Sequence, residues 1–405
     1  MAIFRSSRIA IVLLAIGFVA VLVALYPEWQ KLTVPARPTG SAQLPSLKPP
    51  KQTTQKVGRT GPGAHRPLDL AWSFQTRQKW QYRDPFLKKA VDQTGGAICS
   101  DIVVARDRVY FGSEGGFVYC LSLDGRLKWS FETFAVRVSE SLATSNRLFC
   151  GSEDNYLYAL DPETGQQVYR FNAKSEVLTT PLVVGDRLVI AARMGRVFAL
   201  EPAFGKELWV YRHDHLFKSS PASDGKTVFI GSDSGELLAL NLISGELEWS
   251  FDTRGAVRST PVIRSGRIIV ACWDGRLLAV SLSTHQLLFE TQLRGFVSST
   301  PQLATGRIYA STLDGFVYAI SATDGSILWS VKCGDVIEAS PVLSSDQKRL
   351  YVGNWDGMFY VLDAASGKIL ASRDVGSMVS RRSALTPDGK VLVGTKSGMI
   401  YCFWP

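Results

Sequence analysis

The sequence has few of the residues that catalytic and metal sites use. Its 405 residues include only four histidines, and its six cysteines never form the CxxC spacing typical of metal sites. His213-Asp214-His215 is the only histidine pair, and because no third ligand is evident we interpret both rings as exposed loop side chains. Glycine-rich phosphate loops are also missing. The sequence therefore predicts no catalytic residues, no metal and no cofactor, and we do not expect an enzyme.

The part of the chain that can fold lacks an excess of positive charge. The formal net charge is +9, but residues 1–67 contain nine lysines and arginines against Glu28 alone. The remaining residues are therefore nearly neutral. Because nucleic-acid binding requires a basic face, we do not expect a nucleic-acid partner.

Residues 9–26 are the only long apolar run, and they predict a transmembrane helix. As a helix they would span about 27 Å, close to the apolar thickness of a bilayer. Arg5 and Arg8 lie in the preceding residues 1–8, so the positive-inside rule places these in the cytoplasm and the rest of the chain outside. A cleaved signal peptide is the alternative, but no small-x-small cleavage site precedes Tyr26. No cysteine follows for lipid attachment. We expect one anchor in the inner membrane of a bacterial cell and a periplasmic, or at least extracytoplasmic, body.

Residues 27–67 hold eight of the 18 prolines, together with lysine, serine, threonine and glycine. Such a composition cannot bury enough apolar surface to fold, so we predict a disordered linker. The six cysteines lie in residues 68–405, here called the body. In an exported chain they allow fifteen disulfide pairings, between which sequence cannot choose. We expect mostly free, buried thiols.

The body is built from a repeat of 40 residues. Its clearest sign is a series of five prolines after serine or threonine, at residues 181, 221, 261, 301 and 341. In residues 221–260 two short β-rich runs surround the turn Ser232–Gly235, and a third run alternates polar and apolar residues up to Phe251. Four short strands joined by tight turns in about 40 residues are typical of a β-propeller blade.

An aromatic residue in the fourth strand and a turn glycine before it repeat with the same period. The aromatic residues of the first six copies are Trp129, Tyr169, Trp209, Trp249, Phe289 and Trp329, the seventh copy has Ala371, and Trp72 has the same place in the N-terminal segment. His285 replaces the glycine once, which we interpret as a tolerated residue with positive φ.

The repeat predicts an all-β propeller of eight four-stranded blades. The blades start at Asp101, at Ser141, at the five prolines and near Ser383. The eighth stops after its third strand, Met399–Phe403, and residues 70–74 have the pattern of the missing fourth strand. We therefore expect the N-terminal strand to close the ring and remove free sheet edges. Residues 78–97 are additional and predict a loop.

The segments Ala159–Tyr169, Ala199–Trp209, Ala239–Trp249 and Ala319–Trp329 resemble the tryptophan-docking motif A-x-D-x-x-T-G-K-x-x-W of the pyrroloquinoline-quinone (PQQ) dehydrogenase propellers. The resemblance covers residues 70–405. WD repeats fit less well, because Trp273-Asp274 and Trp355-Asp356 lie in hairpin turns.

This resemblance implies one of two functions. The dehydrogenases hold PQQ and calcium over the channel, commonly below a ring of two adjacent cysteines, which this chain lacks. The other branch is non-catalytic and includes the BamB lipoprotein, a scaffold of outer-membrane assembly; this chain departs from it by lacking the lipid-attachment cysteine. We expect a membrane-anchored envelope scaffold that binds proteins. The alternatives are a PQQ-binding oxidoreductase or sensor, and a polysaccharide-binding surface protein.

The repeat also predicts which residues ring the central channel. Three places before each proline the series is Ile98, Val138, Leu178, Lys218, Arg258, Ser298, Glu338 and Ser380; one place before it is Ser100, Glu140, Thr180, Ser220, Thr260, Thr300, Ser340 and Arg382, with Arg381 beside it. The mouth would be apolar over blades 1–3 and charged over blades 4–8. We interpret it either as a partner-binding rim, formed by Glu140, Lys218, Arg258, Glu338, Arg381 and Arg382, or as a solvated channel.

Trp273 and Trp355 occupy equivalent hairpin turns of two blades. An indole on a polar turn often belongs to an interface. Packing against the neighbouring blade is the alternative.

Overall fold

The structure is a computed structural model. It describes residues 66–76, 96–135, 137–144 and 146–405, with the side chains of residues 140–143 left out. The described residues form eight four-stranded antiparallel sheets, each built from strands that follow one another in the chain except the last. The predicted eight-bladed, all-β propeller is confirmed.

The first, innermost strand of each blade has two or three residues, except the six-residue β6 of blade 2. These strands are β2 (Val103–Ala105), β6 (Val138–Ala143), β10 (Leu182–Val184), β14 (Ala222–Ser223), β18 (Val262–Arg264), β22 (Gln302–Ala304), β26 (Val342–Leu343) and β30 (Ala384–Leu385).

The second strands are β3 (Arg108–Gly112), β7 (Leu148–Ser152), β11 (Arg187–Ala192), β15 (Thr227–Gly231), β19 (Arg267–Ala271), β23 (Arg307–Ser311), β27 (Arg349–Gly353) and β31 (Val391–Gly394). The third strands are β4 (Phe117–Ser122), β8 (Tyr156–Leu160), β12 (Arg196–Leu200), β16 (Glu236–Asn241), β20 (Arg276–Ser281), β24 (Phe316–Ser321), β28 (Met358–Asp363) and β32 (Met399–Phe403). Both sets are almost fully buried, because each sheet is covered on its two faces by the neighbouring blades.

The fourth, outermost strands consist mostly of exposed and half-buried residues. They are β1 (Leu70–Gln75), β5 (Leu127–Glu132), β9 (Gln167–Asn172), β13 (Glu207–Arg212), β17 (Leu247–Asp252), β21 (Leu287–Gln292), β25 (Ile327–Lys332) and β29 (Ile369–Asp374).

The N-terminal strand closes the ring. β1 pairs antiparallel with β32, from Leu70 opposite Phe403 to Gln75 opposite Met399. The backbone N–H of Leu68 donates to the Trp404 carbonyl at 3.0 Å, and Trp404 N–H donates to the Asp69 carbonyl at 2.9 Å. The predicted closure by residues 70–74 is confirmed, and it joins the two ends of the body in one sheet.

An aromatic residue of each outer strand docks on the turn of the next blade. The Trp209 indole covers Gly245, where a Cβ would lie 2.4 Å from the ring, and its Nε1 donates to the Leu242 carbonyl at 3.0 Å. Gly245 has a φ of 75°. The same aromatic–glycine contact recurs in the pairs Trp72–Gly125, Trp129–Gly165, Tyr169–Gly205, Phe289–Gly325 and Trp329–Gly367. Glycine is required here because the ring occupies the space of a side chain.

His285 is the exception among these turns. Its φ is 56°, and its imidazole stacks on Trp249 with ring centroids 4.3 Å apart and planes 19° apart. The expected positive φ is confirmed, and a flat ring replaces the missing contact. Ala371 needs no large ring, because the third and fourth strands of blade 8 are not joined by a turn that could receive it.

All six cysteines are free and buried, as expected. Burial raises the pKa of Cys272, Cys333 and Cys402 to about 12, so these thiols stay protonated near neutral pH.

The predicted anchor at residues 9–26, the linker at residues 27–65 and nearly all of the predicted loop at residues 78–97 lie outside the described residues. Within the part that is described, no helix is long and apolar enough to cross a membrane.

The docking contact predicts unequal effects of two alanine substitutions. Gly245→Ala and Gly266→Ala impose similar backbone strain, since the φ values are 75° and 73°. Only Gly245 lies against a ring, whereas nothing lies within 4 Å of a Cβ at Gly266. We expect a loss of about 1 kcal/mol for Gly266→Ala and about 3 kcal/mol for Gly245→Ala, measured by urea unfolding. Equal losses would show that the docking contact contributes nothing.

Candidate functional site

The antiparallel topology gathers two kinds of segment on one face of the ring, here called the upper face. These are the turns between second and third strands, and the connections from each fourth strand to the next blade. Backbone hydrogen bonds join them: Trp273 N–H donates to the Ala256 carbonyl at 2.7 Å, and Leu313 N–H donates to the Phe296 carbonyl at 2.9 Å. The other turns lie on the opposite, lower face.

The central channel contains two adjoining cavities of about 630 and 140 Å³. The larger is lined largely by apolar residues of the innermost strands, among them Val103, Leu182 and Leu343. The smaller is polar and includes Lys218, Arg258, Glu338, Arg381 and Arg382. Both cavities share the residues Asp101, Thr180, Ser220, Thr260, Thr300, Ser340 and Arg382.

Hydrogen bonds link these shared residues from blade to blade. The backbone N–H of Thr180 donates to Ser220 Oγ at 2.9 Å, and that of Thr300 donates to Ser340 Oγ at 2.9 Å. In blade 1 a carboxylate replaces the hydroxyl, and Arg382 N–H donates to Asp101 Oδ1 at 2.9 Å. The polar layer that the two cavities share is therefore part of the ring's own framework.

The predicted channel register is wrong by one residue in blade 1. Ile98 is buried against Gly394, just as Val257 is buried against Gly231. It therefore occupies the interior position that precedes the channel position. Asp101, not Ser100, faces the channel, and the buried Ser100 Oγ accepts the Gly112 N–H at 2.7 Å.

Blade 2 shows the same deviation. Val138 is fully buried against Gly112 and does not line the mouth. A register shift between Val138 and Ser141 makes the innermost strand irregular. Glu140 lies in β6, and its side chain is outside the described part of the structure. Of the three apolar residues predicted to line the mouth in blades 1–3, only Leu178 lines the channel.

Asp233 joins two of the predicted rim cations. Its Oδ2 lies 3.2 Å from Lys218 Nζ, and its Oδ1 lies 3.0 Å from Arg258 Nε. Because one carboxylate serves two cations, this part of the mouth keeps a net positive charge.

The two tryptophans in equivalent turns each contact a rim charge. The Arg258 guanidinium lies 4.1 Å from the centroid of the Trp273 ring, and Trp273 stacks on Phe296 at 5.6 Å. Trp355 Nε1 donates to Glu338 Oε2 at 3.3 Å. Trp355 is 42% exposed and Phe296 is 54% exposed. The upper face of blades 5–7 is therefore the apolar sector, defined by Trp273, Phe296, Leu313 and Trp355.

Ion pairs occupy the corresponding turns of blades 8, 1 and 2. Lys396 Nζ lies 3.0 Å from Glu114 Oε1, and Arg137 lies within 4.0 Å of both Glu114 and Glu153. The predicted charged side of the mouth, over blades 4–8, is present, because Lys218, Arg258, Glu338, Arg381 and Arg382 line the polar cavity. The predicted apolar side over blades 1–3 is wrong except for Leu178. The exposed apolar side chains lie instead on the turns of blades 5–7 around the mouth.

Burial raises the pKa of Asp101, and the neighbouring Arg382 and Arg381 partly oppose this effect. The unfolded chain, with an ordinary aspartate pKa, releases this proton more readily. The ionised carboxylate therefore costs stability as the pH rises through its folded pKa.

The channel lining does not match the requirements of a quinone and calcium. Calcium takes six to eight oxygen ligands, but the two carboxylates among the described lining residues, Asp101 and Glu338, accept hydrogen bonds from Arg382 and Trp355. No aromatic ring is among the described residues that line either cavity. In the described part of the chain, no three His, Cys, Asp or Glu side chains are placed to hold a metal ion. His213 is half-buried, with its Nε2 3.1 Å from Glu236 Oε2, and His215 is exposed.

Sequence reasoning missed Asp101, Asp233 and Phe296. Asp233 and Trp273 occupy the same turn position in neighbouring blades, so aligning the turns across all blades would have drawn attention to both. Phe296 precedes the buried Val297 in a connection that has no proline, and only the stacked geometry distinguishes it.

Comparison with known proteins agrees with this fold. Residues 70–211, 138–250, 193–286 and 253–403 match the family described as outer membrane protein assembly factor BamB. The crystal structure of BamB from Moraxella catarrhalis is 19% identical, with a TM-score of 0.69 over 84% of this chain and 100% of that one. A europium-containing methanol dehydrogenase is 14% identical, with a TM-score of 0.66 over 81% of this chain and 84% of that one. At these identities the structures show a shared fold alone.

Two curated relatives match a short segment only. The beta-alanine-activating enzyme of Mus musculus is 32% identical over 89 residues, and that of Homo sapiens is 28% identical over 87. Each match covers 20% of this chain and spans about 8% of the length of the relative.

The raised pKa of Asp101 predicts a pH-dependent effect of Asp101→Asn. Asparagine can still accept the Arg382 N–H but never ionises. We expect the variant to melt at a higher temperature than the parent at pH 8, and the difference to shrink toward pH 4. Thermal unfolding across this range measures the difference. A difference in melting temperature that stays constant or grows toward acid pH would contradict the statement that burial raises the pKa of Asp101.

Proposed function

Because the chain belongs to the family of outer membrane protein assembly factor BamB, we propose that its propeller is a non-catalytic scaffold that binds a protein of the bacterial envelope. The predicted helix at residues 9–26 would anchor it in the inner membrane, with the propeller in the periplasm.

The apolar sector of the upper face is the observation that carries this proposal. Trp273, Phe296, Leu313 and Trp355 lie on three successive blades and remain half-buried or exposed. Large aromatic side chains surrounded by charged groups are typical of the centre of a protein interface. Lys218, Arg258, Asp233 and Glu338 supply such a surround. They give a partner both an apolar contact and charges that orient its approach.

The channel contributes less to this proposal. Its hydroxyl layer already bonds from blade to blade, and its larger cavity lies below that layer. We therefore assign partner recognition to the upper face around the mouth rather than to the channel interior.

The proposal predicts a strong effect of one substitution on the upper face. Phe296→Ala removes an exposed ring that no fold contact requires except its stack on Trp273. We expect the partner to bind about 30-fold more weakly, the usual scale for an interface hot spot. The measurement is quantitative co-purification of the tagged full chain from solubilised membranes, followed by titration of the isolated partner.

Phe204→Ala is the matched control, because Phe204 is 76% exposed but lies in a lower-face turn. It should leave capture unchanged. Equal capture by the parent and by Phe296→Ala would contradict the assignment of the upper face. A partner lost equally from both variants would contradict it as well.

The oxidoreductase and polysaccharide alternatives make separate predictions. A bound ligand stabilises the folded state by RT ln(1 + [L]/Kd). PQQ with calcium should therefore raise the melting temperature only if the oxidoreductase or sensor alternative is correct, and we expect no shift. Envelope polysaccharides can be titrated in the same assay, with Trp355→Ala as the variant that should lose a sugar-dependent shift if one occurs.

A further inference from the structure

Each outer strand of blades 1–7 contains a bulge at its lower end. In blade 6, Ala319 pairs with Trp329 and Ile320 pairs with Ile327, so that Leu328 is an extra residue without a partner. The same register shift occurs in the other six blades. In a regular strand consecutive side chains point to opposite faces, but a bulge breaks this alternation. In blades 2–7 two consecutive side chains are therefore exposed at the lower outer edge, and in blade 1 the first of the two, Leu127, is half-buried.

The composition of this pair differs between two parts of the ring. In blades 1–4 every pair contains one polar or charged residue: Leu127–Lys128, Gln167–Val168, Glu207–Leu208 and Leu247–Glu248. In blades 5–7 both members are aliphatic, and these six residues form the aliphatic belt: Leu287, Leu288, Ile327, Leu328, Ile369 and Leu370. Each is 40–48% exposed. Three successive blades thus present an apolar strip that the fold does not require, since blades 1–4 do without it.

The chain enters the propeller at the end of this belt. Blade 8 follows blade 7, and its bulged pair is Leu70–Ala71, both half-buried. Leu68 is buried in a cluster with Val361 of blade 7, and Arg373 Nη1 donates to the Leu68 carbonyl at 2.7 Å. Residues 66–69, the first described part of the chain, therefore lie at the lower edge beside blade 7.

The lower-face turns of the same three blades carry an excess of positive charge. Their charged residues are Arg264, Arg267, Arg307, Lys348, Arg349 and Lys368 against Asp324, Asp346 and Asp363. The equivalent turns of blades 1–4 do not share this excess, because pairs such as Arg108–Glu163 and Arg187–Asp186 balance their charges. An apolar strip bordered by cations is complementary to a bilayer, which has an apolar interior beneath anionic headgroups.

We propose that the aliphatic belt is a bilayer-contact edge, which rests on the anionic lipid headgroups of the membrane that anchors the chain. Amphipathic surfaces bind such interfaces through buried apolar area together with attraction to anionic lipid. The predicted linker, residues 27–67, would tether the edge to the membrane that holds the anchor. Tethering makes the contact intramolecular, so a surface with low intrinsic affinity for lipid can still remain bound. The upper face, with its apolar sector, then points away from the membrane.

This proposal rests on the predicted anchor but not on partner capture. The test uses the full chain in lipid nanodiscs that contain an anionic lipid and a spin-labelled lipid. Leu328→Cys carries a bimane label, and the buried native thiols leave the introduced cysteine as the reactive one. Val168→Cys is the matched control, since Val168 occupies the same bulge position in blade 2 and is similarly exposed, at 44% against 47%.

We expect the spin-labelled lipid to quench the label at position 328 at least threefold more than the label at position 168. Leu288→Glu with Leu370→Glu, which copies the Glu248 pattern of blade 4, should remove that difference. Replacing the anionic lipid with a zwitterionic one should reduce it. Equal quenching at the two positions would overturn the proposal. The proposal would also be overturned if the fluorescence of the label at position 328 changed in native membranes but not in the nanodiscs, because a protein would then be the occupant.

Flotation of the nanodiscs separates the two failures. A chain that does not float with them would refute the anchor and the bilayer contact together. A chain that floats without selective quenching would refute the contact alone and leave the scaffold proposal intact.

Discussion

The contact on which the structure depends is the aromatic ring of one outer strand packed on the turn glycine of the next blade. It joins each blade to the next at the outer circumference, except blade 7 to blade 8. The indole nitrogen adds a hydrogen bond to the adjacent blade, as in Trp209 to Leu242. Because the ring occupies the place of a Cβ, the turn must be glycine or must offer a flat ring, as His285 does. The period of 40 residues follows from repeating this pair.

The fold could be predicted because the residues that make this contact recur at the same place in each repeat, although the two partners are distant in sequence. Aromatic residue, glycine and proline each repeat with the same period, so blade number and closure followed directly. The register of blades 1 and 2 did not, since neither has the proline that marks blades 3–7. Ile98 and Val138 are apolar like their true equivalents, Val177 and Val257, and one residue of offset moves them from the channel into the interior. A bulge in β6 shifts the spacing where no proline marks it.

The candidate site was less predictable because it is built from residues of different blades. The sequence identified Arg258, Trp273, Glu338 and Trp355 separately, as channel residues and as turn residues. It could not show that Arg258 covers Trp273 or that Trp355 donates to Glu338. Such contacts depend on the angle between blades and on side-chain direction, and neither property follows from a period. The same limit explains why the apolar side chains near the mouth were expected over blades 1–3 but lie on the turns of blades 5–7.

Blades 5–7 differ from the remainder of the ring on both of its faces. Above, they carry the apolar sector; below, the aliphatic belt. Blades 8, 1 and 2 carry ion pairs at the upper turns instead, and blades 1–4 interrupt the lower strip with polar residues. One sector of a nearly symmetric framework is thus specialised, and the central claim is that its upper face binds a protein partner.

In-cell photo-crosslinking tests this claim most directly, with one probe per blade at the equivalent turn positions Glu114, Glu153, Arg193, Asp233, Trp273, Leu313, Trp355 and Lys396. The account predicts that adducts with one partner reach a maximum at Trp273, Leu313 and Trp355. A maximum at Glu114 and Glu153, or equal yields around the ring, would contradict it.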